Sequence, residues 1–81
     1  MTRILRMKQA IEKTGLSRSS IYNLMADGQF PRSIKISERA AGWVEDDIEA
    51  YLAAVISGKG REHVKELVAS INAKRKPLLK D

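Results

Sequence analysis

The sequence predicts a mostly α-helical fold carrying one small β-hairpin, with an extra helix at its C-terminal end. Three observations lead there. Apolar residues recur at helical spacing in four segments, whereas one short stretch, "SIKIS", alternates with period two. Glycine or proline stands at the joints between these segments, at Gly15, Gly28, Pro31 and Gly58.

The first helix is "MKQAIEKTG", in which Met7, Ala10, Ile11 and Thr14 share one face. Gly15 stands where a helix end favours a residue free to adopt positive φ. Neither Arg6 nor Met7 is a good N-cap, so the start is unmarked, and Ile4 and Leu5 read as an extended lead-in beneath the domain. Ser17 caps the second helix; Ile21, Leu24 and Met25 face inward, with Leu16 as a staple residue just outside. Asp27-Gly28 ends it, and Pro31 enforces the stop because it lacks a donor and restricts Phe30 before it. Two helices joined by Gly-Leu-Ser make a helix-turn-helix candidate. The spacing of Ile11, Gly15, Ile21 and Leu24 fits that pattern, although the Ile11 position more commonly holds alanine.

In the strand segment the alternation places Ile34 and Ile36 inward and Lys35 and Ser37 outward. "SERA" has turn character and "AGWV" returns as the partner strand, a hairpin that must lean on the helices to be stable. The third helix, "EDDIEAYLAAVIS", carries Ile48, Tyr51, Leu52, Val55 and Ile56 at helical spacing. Its acids Glu45, Asp46 and Asp47 crowd the first turn, where the helix dipole favours negative charge. Trp43 and Tyr51 read as core residues. After the flexible "SGKG", a fourth helix shows an apolar stripe of Val64, Leu67, Val68 and Ile71, closed by Pro77. That stripe must be buried, either against the third helix, which is the favoured arrangement, or against another chain. The organisation is thus a unit of residues 1–57 followed by a linker, amphipathic helix and basic tail over 58–81.

Composition bounds the chemistry. A hydrophobic share of 43% with 31% charged residues describes a globular chain rather than a disordered one. There is no cysteine, and His63 is the single histidine, which all but excludes a zinc site or a Ser-His or Cys-His nucleophilic pair. No enzymatic activity and no cofactor are expected. No apolar run approaches the roughly 18 residues of a membrane span, and the N-terminal segment lacks signal-peptide features, so a cytoplasmic protein without membrane contact is expected.

The net charge of +5 favours a polyanionic partner, and its distribution says more than its total. Residues 1–44 hold eight Lys/Arg against three acids, residues 45–57 hold four acids and no base, and residues 58–81 hold seven bases against three acids. This pattern suggests one cationic face.

A helix that reads a major groove needs an accessible first turn and an apolar back that pins it. Here Leu16, Ile21 and Leu24 form the back, while Arg18, Ser19, Tyr22, Asn23 and Ala26 face outward. Arg18 can fork onto guanine O6 and N7, and Asn23 can bond adenine or a phosphate. Ser17, Ser19 and Ser20 can donate to phosphate oxygens at the positive helix end, and Tyr22 offers a ring and a hydroxyl. On the hairpin, Lys35 and Arg39 are candidate DNA contacts, although charges there also discourage edge pairing. Arg32, after the proline turn, is a candidate phosphate contact; Arg6, Lys8 and the tail cations Lys74, Arg75 and Lys76 are further ones.

Taken in order, "GLSRSS" with Ile21-Tyr22, then Gly28-x-Phe30-Pro31, Ile34-Lys35-Ile36, Gly42-Trp43, the acidic turn and Ile48-Glu49-Ala50-Tyr51-Leu52 closely resemble the AlpA-type family of phage and prophage regulators. These are small relatives of the excisionase and MerR-like DNA-binding domains. The resemblance covers about residues 3–57 and departs at Tyr51, where tryptophan is more usual. It implies a winged helix-turn-helix, with the second helix in the major groove and the hairpin as a wing on the backbone or the adjacent minor groove. It also implies a sequence-specific regulator that binds double-stranded DNA and controls integrase expression or acts in excision. Integrase or RNA polymerase would be the protein partners, with a homodimer through the C-terminal helix as a further expectation. The alternative is a small protein-interaction adaptor or antitoxin-like module using that helix.

Overall fold

The computed structural model describes residues 3–75; Lys76 and Pro77 lie outside them. The chain runs β1 (Ile4–Leu5), α1 (Met7–Thr14), α2 (Arg18–Ala26), β2 (Ile34–Ser37), β3 (Ala40–Val44), α3 (Glu45–Ser57) and α4 (Arg61–Lys74). The lead-in is extended, as expected, and is also a strand of the sheet. Ile4 and Leu5 pair antiparallel with Val44 and Trp43, so the sheet has three strands in the order β1-β3-β2. The Glu45 amide donates to the Arg3 carbonyl at 2.7 Å and extends that ladder into α3.

Gly42 is what lets β1 come so close. A Cβ built there would lie 2.5 Å from the Leu5 carbonyl oxygen and 2.8 Å from Ile4 Cγ2. The nearer obstacle is backbone and cannot rotate away. Gly42→Ala is therefore expected to cost about 1–3 kcal/mol through overpacking, read as a lowered thermal midpoint by circular dichroism.

The start of α1 does carry a signal, three residues inside the helix: the Arg6 amide donates to Gln9 Oε1 at 2.9 Å. Gly15 closes the helix at φ 77°, and Thr14 bridges the joint. The Thr14 hydroxyl donates to the Ala10 carbonyl at 2.8 Å and accepts from the Leu16 amide at 3.2 Å. Side-chain hydrogen bonding thus fixes the turn between α1 and α2.

The core gathers Leu5, Ala10, Ile21, Phe30, Trp43, Ile48, Tyr51 and Val68, with Leu16, Leu24, Met25 and Val64 packed around it. Every described element except the solvent-facing β2 contributes a buried residue to it. Its centre is aromatic. The Phe30 ring meets Trp43 edge-on at 5.8 Å and Tyr51 at 4.8 Å. Trp43 Nε1 donates to the Pro31 carbonyl at 2.8 Å, so the residues after α2 are clasped to β3.

Two apolar placements depart from the sequence pattern. Ile36 is 46% exposed, because β2 carries a bulge between Lys35 and Ser37 that opposes an extra residue to β3 and breaks the alternation. On α3, Val55 and Ile56 are 48% and 81% exposed, whereas Ala54 and Asp47 are buried. The covered face of α3 thus runs through Asp47, Ile48, Tyr51 and Ala54 rather than along the whole apolar stripe.

Candidate nucleic-acid interface

The α2 start is organised by its serines. Ser17 Oγ accepts the Ser20 amide at 3.1 Å, and the two hydroxyls lie 3.0 Å apart in a hydrogen bond. Ser17 therefore serves as the N-cap, and half-buried Ser20 is turned toward it. Buried Ile21 anchors the back of the helix. Arg18, Ser19, Tyr22 and Asn23 are all exposed, and their spacing forms two i, i+4 pairs on one side of the helix. Tyr22 presents half its surface (51%) to solvent and lies outside the hydrophobic core. Gly28, at φ 76°, ends the helix; the Gln29 amide reaches back to the Leu24 carbonyl at 2.8 Å.

On the hairpin, Lys35 lies opposite Ala41 and Arg39 sits in the tight turn between β2 and β3. Both are exposed and line one shallow groove with Ser33 and Glu38. Arg32 is exposed between the aromatic core and β2, and its amide donates to Asn72 Oδ1 on α4 at 2.9 Å. Local sequence held no sign of that contact, which joins residues 40 apart.

The acids of α3 do more than complement its dipole. Glu45 pairs with Arg3 at 3.5 Å and with Lys13 at 3.6 Å, and Lys13 meets Glu49 at 2.8 Å. The bond to Glu49 holds the Lys13 ammonium above its ordinary pKa. Asp47, only 5% exposed, receives both Arg75 Nε at 2.8 Å and an Arg75 terminal nitrogen at 3.0 Å. That fork raises the Arg75 pKa and commits a tail cation, expected to be available for phosphate, to an internal bond. Among the described residues, Arg18, Arg32, Lys35 and Arg39 form no ion pair. Arg3, Lys13 and Arg75 thus take up Glu45, Glu49 and Asp47, while Asp46 is exposed and the cations of α2 and the hairpin stay unpaired among the described residues.

Among the described residues, no three metal-ligating side chains come together, and no helix is long and apolar enough to cross a membrane.

Two helices joined by a three-residue turn, followed by a hairpin that packs beside them, make a winged helix-turn-helix domain with an added C-terminal helix. Residues 3–56 match the family model of the Prophage CP4-57 regulatory protein (AlpA), and the chain belongs to this AlpA family of phage and prophage regulators. It is 34% identical over 59 residues to the uncharacterized protein ORF88 of Enterobacteria phage P4, across 73% of this chain and 67% of that protein. It is 33% identical over 57 residues to the DNA-binding transcriptional activator AlpA of Escherichia coli, across 63% of this chain and 81% of that protein. No solved structure matches the chain significantly.

Proposed function

We propose that this chain is a sequence-specific, double-stranded-DNA-binding regulator of phage or prophage genes. The observation that carries the reading is the separation of charge. Two of the three acids in the first turn of α3, Glu45 and Asp47, are paired internally, while the exposed first turn of α2 and the wing hold cations without acidic partners. A relative that is a DNA-binding transcriptional activator supports the same reading. In this reading α2 enters the major groove: Arg18 reads guanine, Asn23 reads adenine or bonds phosphate, and Tyr22 packs on a thymine methyl or the backbone. Ser19 donates to phosphate beside the positive helix end, and Ser17 and Ser20, bonded to each other in the free protein, join it by turning a hydroxyl to the backbone. Arg32, Lys35 and Arg39 hold the backbone. Control of integrase expression or of excision, through integrase or RNA polymerase, is the biological role that fits.

Selection of bound duplexes from a random library supplies the test. Against a selected site, Arg18→Ala is expected to weaken binding by about 1–3 kcal/mol and to relax preference at one base pair. Equal affinities of parent and variant on that site would remove Arg18 from base readout. Arg39→Ala is expected to weaken selected and random duplexes alike and to lower the slope of log K against log salt by about one. An unchanged slope would take the wing tip off the phosphates.

A protein-contact role is a second reading, favoured by one observation: Val55 and Ile56 stay exposed at the end of α3. Sedimentation of the parent and of a Val55→Ser, Ile56→Ser variant distinguishes self-association through this surface from a monomer.

A further inference from the structure

The helix α4 lies wholly beyond residues 3–56, the part that matches the family model. It nevertheless makes two specific polar contacts with that part. At its end, Arg75 forks onto buried Asp47 in the first turn of α3. One turn earlier, Asn72 Oδ1 accepts the Arg32 amide at 2.9 Å. Arg32 stands at the root of the wing. It follows Pro31, whose carbonyl is held by Trp43, and it precedes Ser33 and β2. The backbone at the wing root is thus pinned on consecutive residues from two sides, by β3 through Pro31 and by α4 through Arg32. Buried Val68 and Ile71, on the same helix, seat α4 so that Asn72 reaches this point. A shallow groove lined by Arg32, Ala69, Asn72 and Ala73 marks the seam. Two small residues, Ala69 and Ala73, line this seam beside Asn72.

We propose that α4 is a splint for the wing, with Asn72 as the positioning residue that fixes the Arg32 main chain before DNA is bound. The inference rests on the proposed interface, since presetting the wing root matters only if the wing contacts DNA. Ordering Arg32, Lys35 and Arg39 in the free protein removes part of the entropic cost of forming their phosphate contacts. Asn72 itself need not touch DNA.

The test uses the full chain and three variants: Asn72→Ala, Asn72→Asp, which keeps an acceptor, and Ser70→Ala on the exposed side of α4 as a control. Amide exchange of Arg32 is followed in free protein, and affinity is measured for a 20-base-pair duplex taken from the random-library selection. Asn72→Ala is expected to speed Arg32 exchange about tenfold with little change elsewhere, and to weaken the complex about fivefold, while the salt slope stays at the parent value because the phosphate contacts are the same. Asn72→Asp is expected to restore Arg32 protection, and Ser70→Ala to leave both readouts unchanged. Unchanged Arg32 exchange in Asn72→Ala overturns the proposal whatever the duplex does. Lost protection with an unchanged complex overturns it too, since the wing root then needs no presetting. A parent chain that binds no duplex overturns the interface reading and this inference with it, a case recognised by the parent's own failure rather than by a difference between variants.

Discussion

Arg75→Met is expected to destabilise the protein by about 2 kcal/mol, between the roughly 0–1 kcal/mol of an exposed ion pair and the roughly 3–5 kcal/mol of breaking a fully buried one. The carboxylate left behind is 6% exposed on its side chain and loses both donors of the fork. Two features keep the cost from rising further: Arg75 retains 30% side-chain exposure, which gives water a way in, and the first turn of α3 favours a negative charge. Asp47→Leu combined with Arg75→Met is expected to cost less than Arg75→Met alone, because no unpaired charge remains. Urea unfolding of the four members of this cycle measures the coupling. Additive effects would mean that the fork contributes nothing beyond its two separate side chains.

Trp43→Ala is expected to cost about 3–5 kcal/mol, which in a domain this small approaches the whole margin of stability. It removes one of the two rings that Phe30 packs against and the hydrogen bond that clasps Pro31 to β3. Trp43→Phe separates the two effects: a ring remains, the Pro31 carbonyl loses its donor, and about 1–3 kcal/mol is expected to go. Circular dichroism melts rank the variants, and a Trp43→Phe protein as stable as the parent would show that ring packing alone accounts for the tryptophan.

What was legible in the sequence was what local periodicity can encode. Ser17 as a cap, Ile21 as the pinning residue, Gly28 and Pro31 as the stop, and the four helices all follow from neighbours within a turn or two. β1 was not legible as a strand because two residues carry no period, and its partners Val44 and Trp43 are some 40 positions away. Ile36 was misplaced because a bulge shifts alternation without changing composition. Val55 and Ile56 sat on a perfect stripe, but which side of α3 is covered depends on where α4 docks, and nothing in α3 states that. The Asp47–Arg75 fork was hidden for a similar reason: the dipole already accounted for the acid, and its partner is 28 residues away. For the interface, exposure of Arg18, Ser19, Tyr22 and Asn23 could be read from helical spacing. The Arg32–Asn72 contact could not, because it is a tertiary bond to a main-chain amide.

Trp43 is the single tryptophan of the chain, 3% exposed, with its indole N–H already engaged. The molecule therefore carries a built-in optical gauge at the root of its wing. A ring so enclosed emits toward the blue and is shielded from direct stacking on nucleobases. Its emission in the presence of a duplex consequently responds to changes in the packing around the indole, including the Pro31 carbonyl it bonds, so a shift at the wing root is open to measurement without a label.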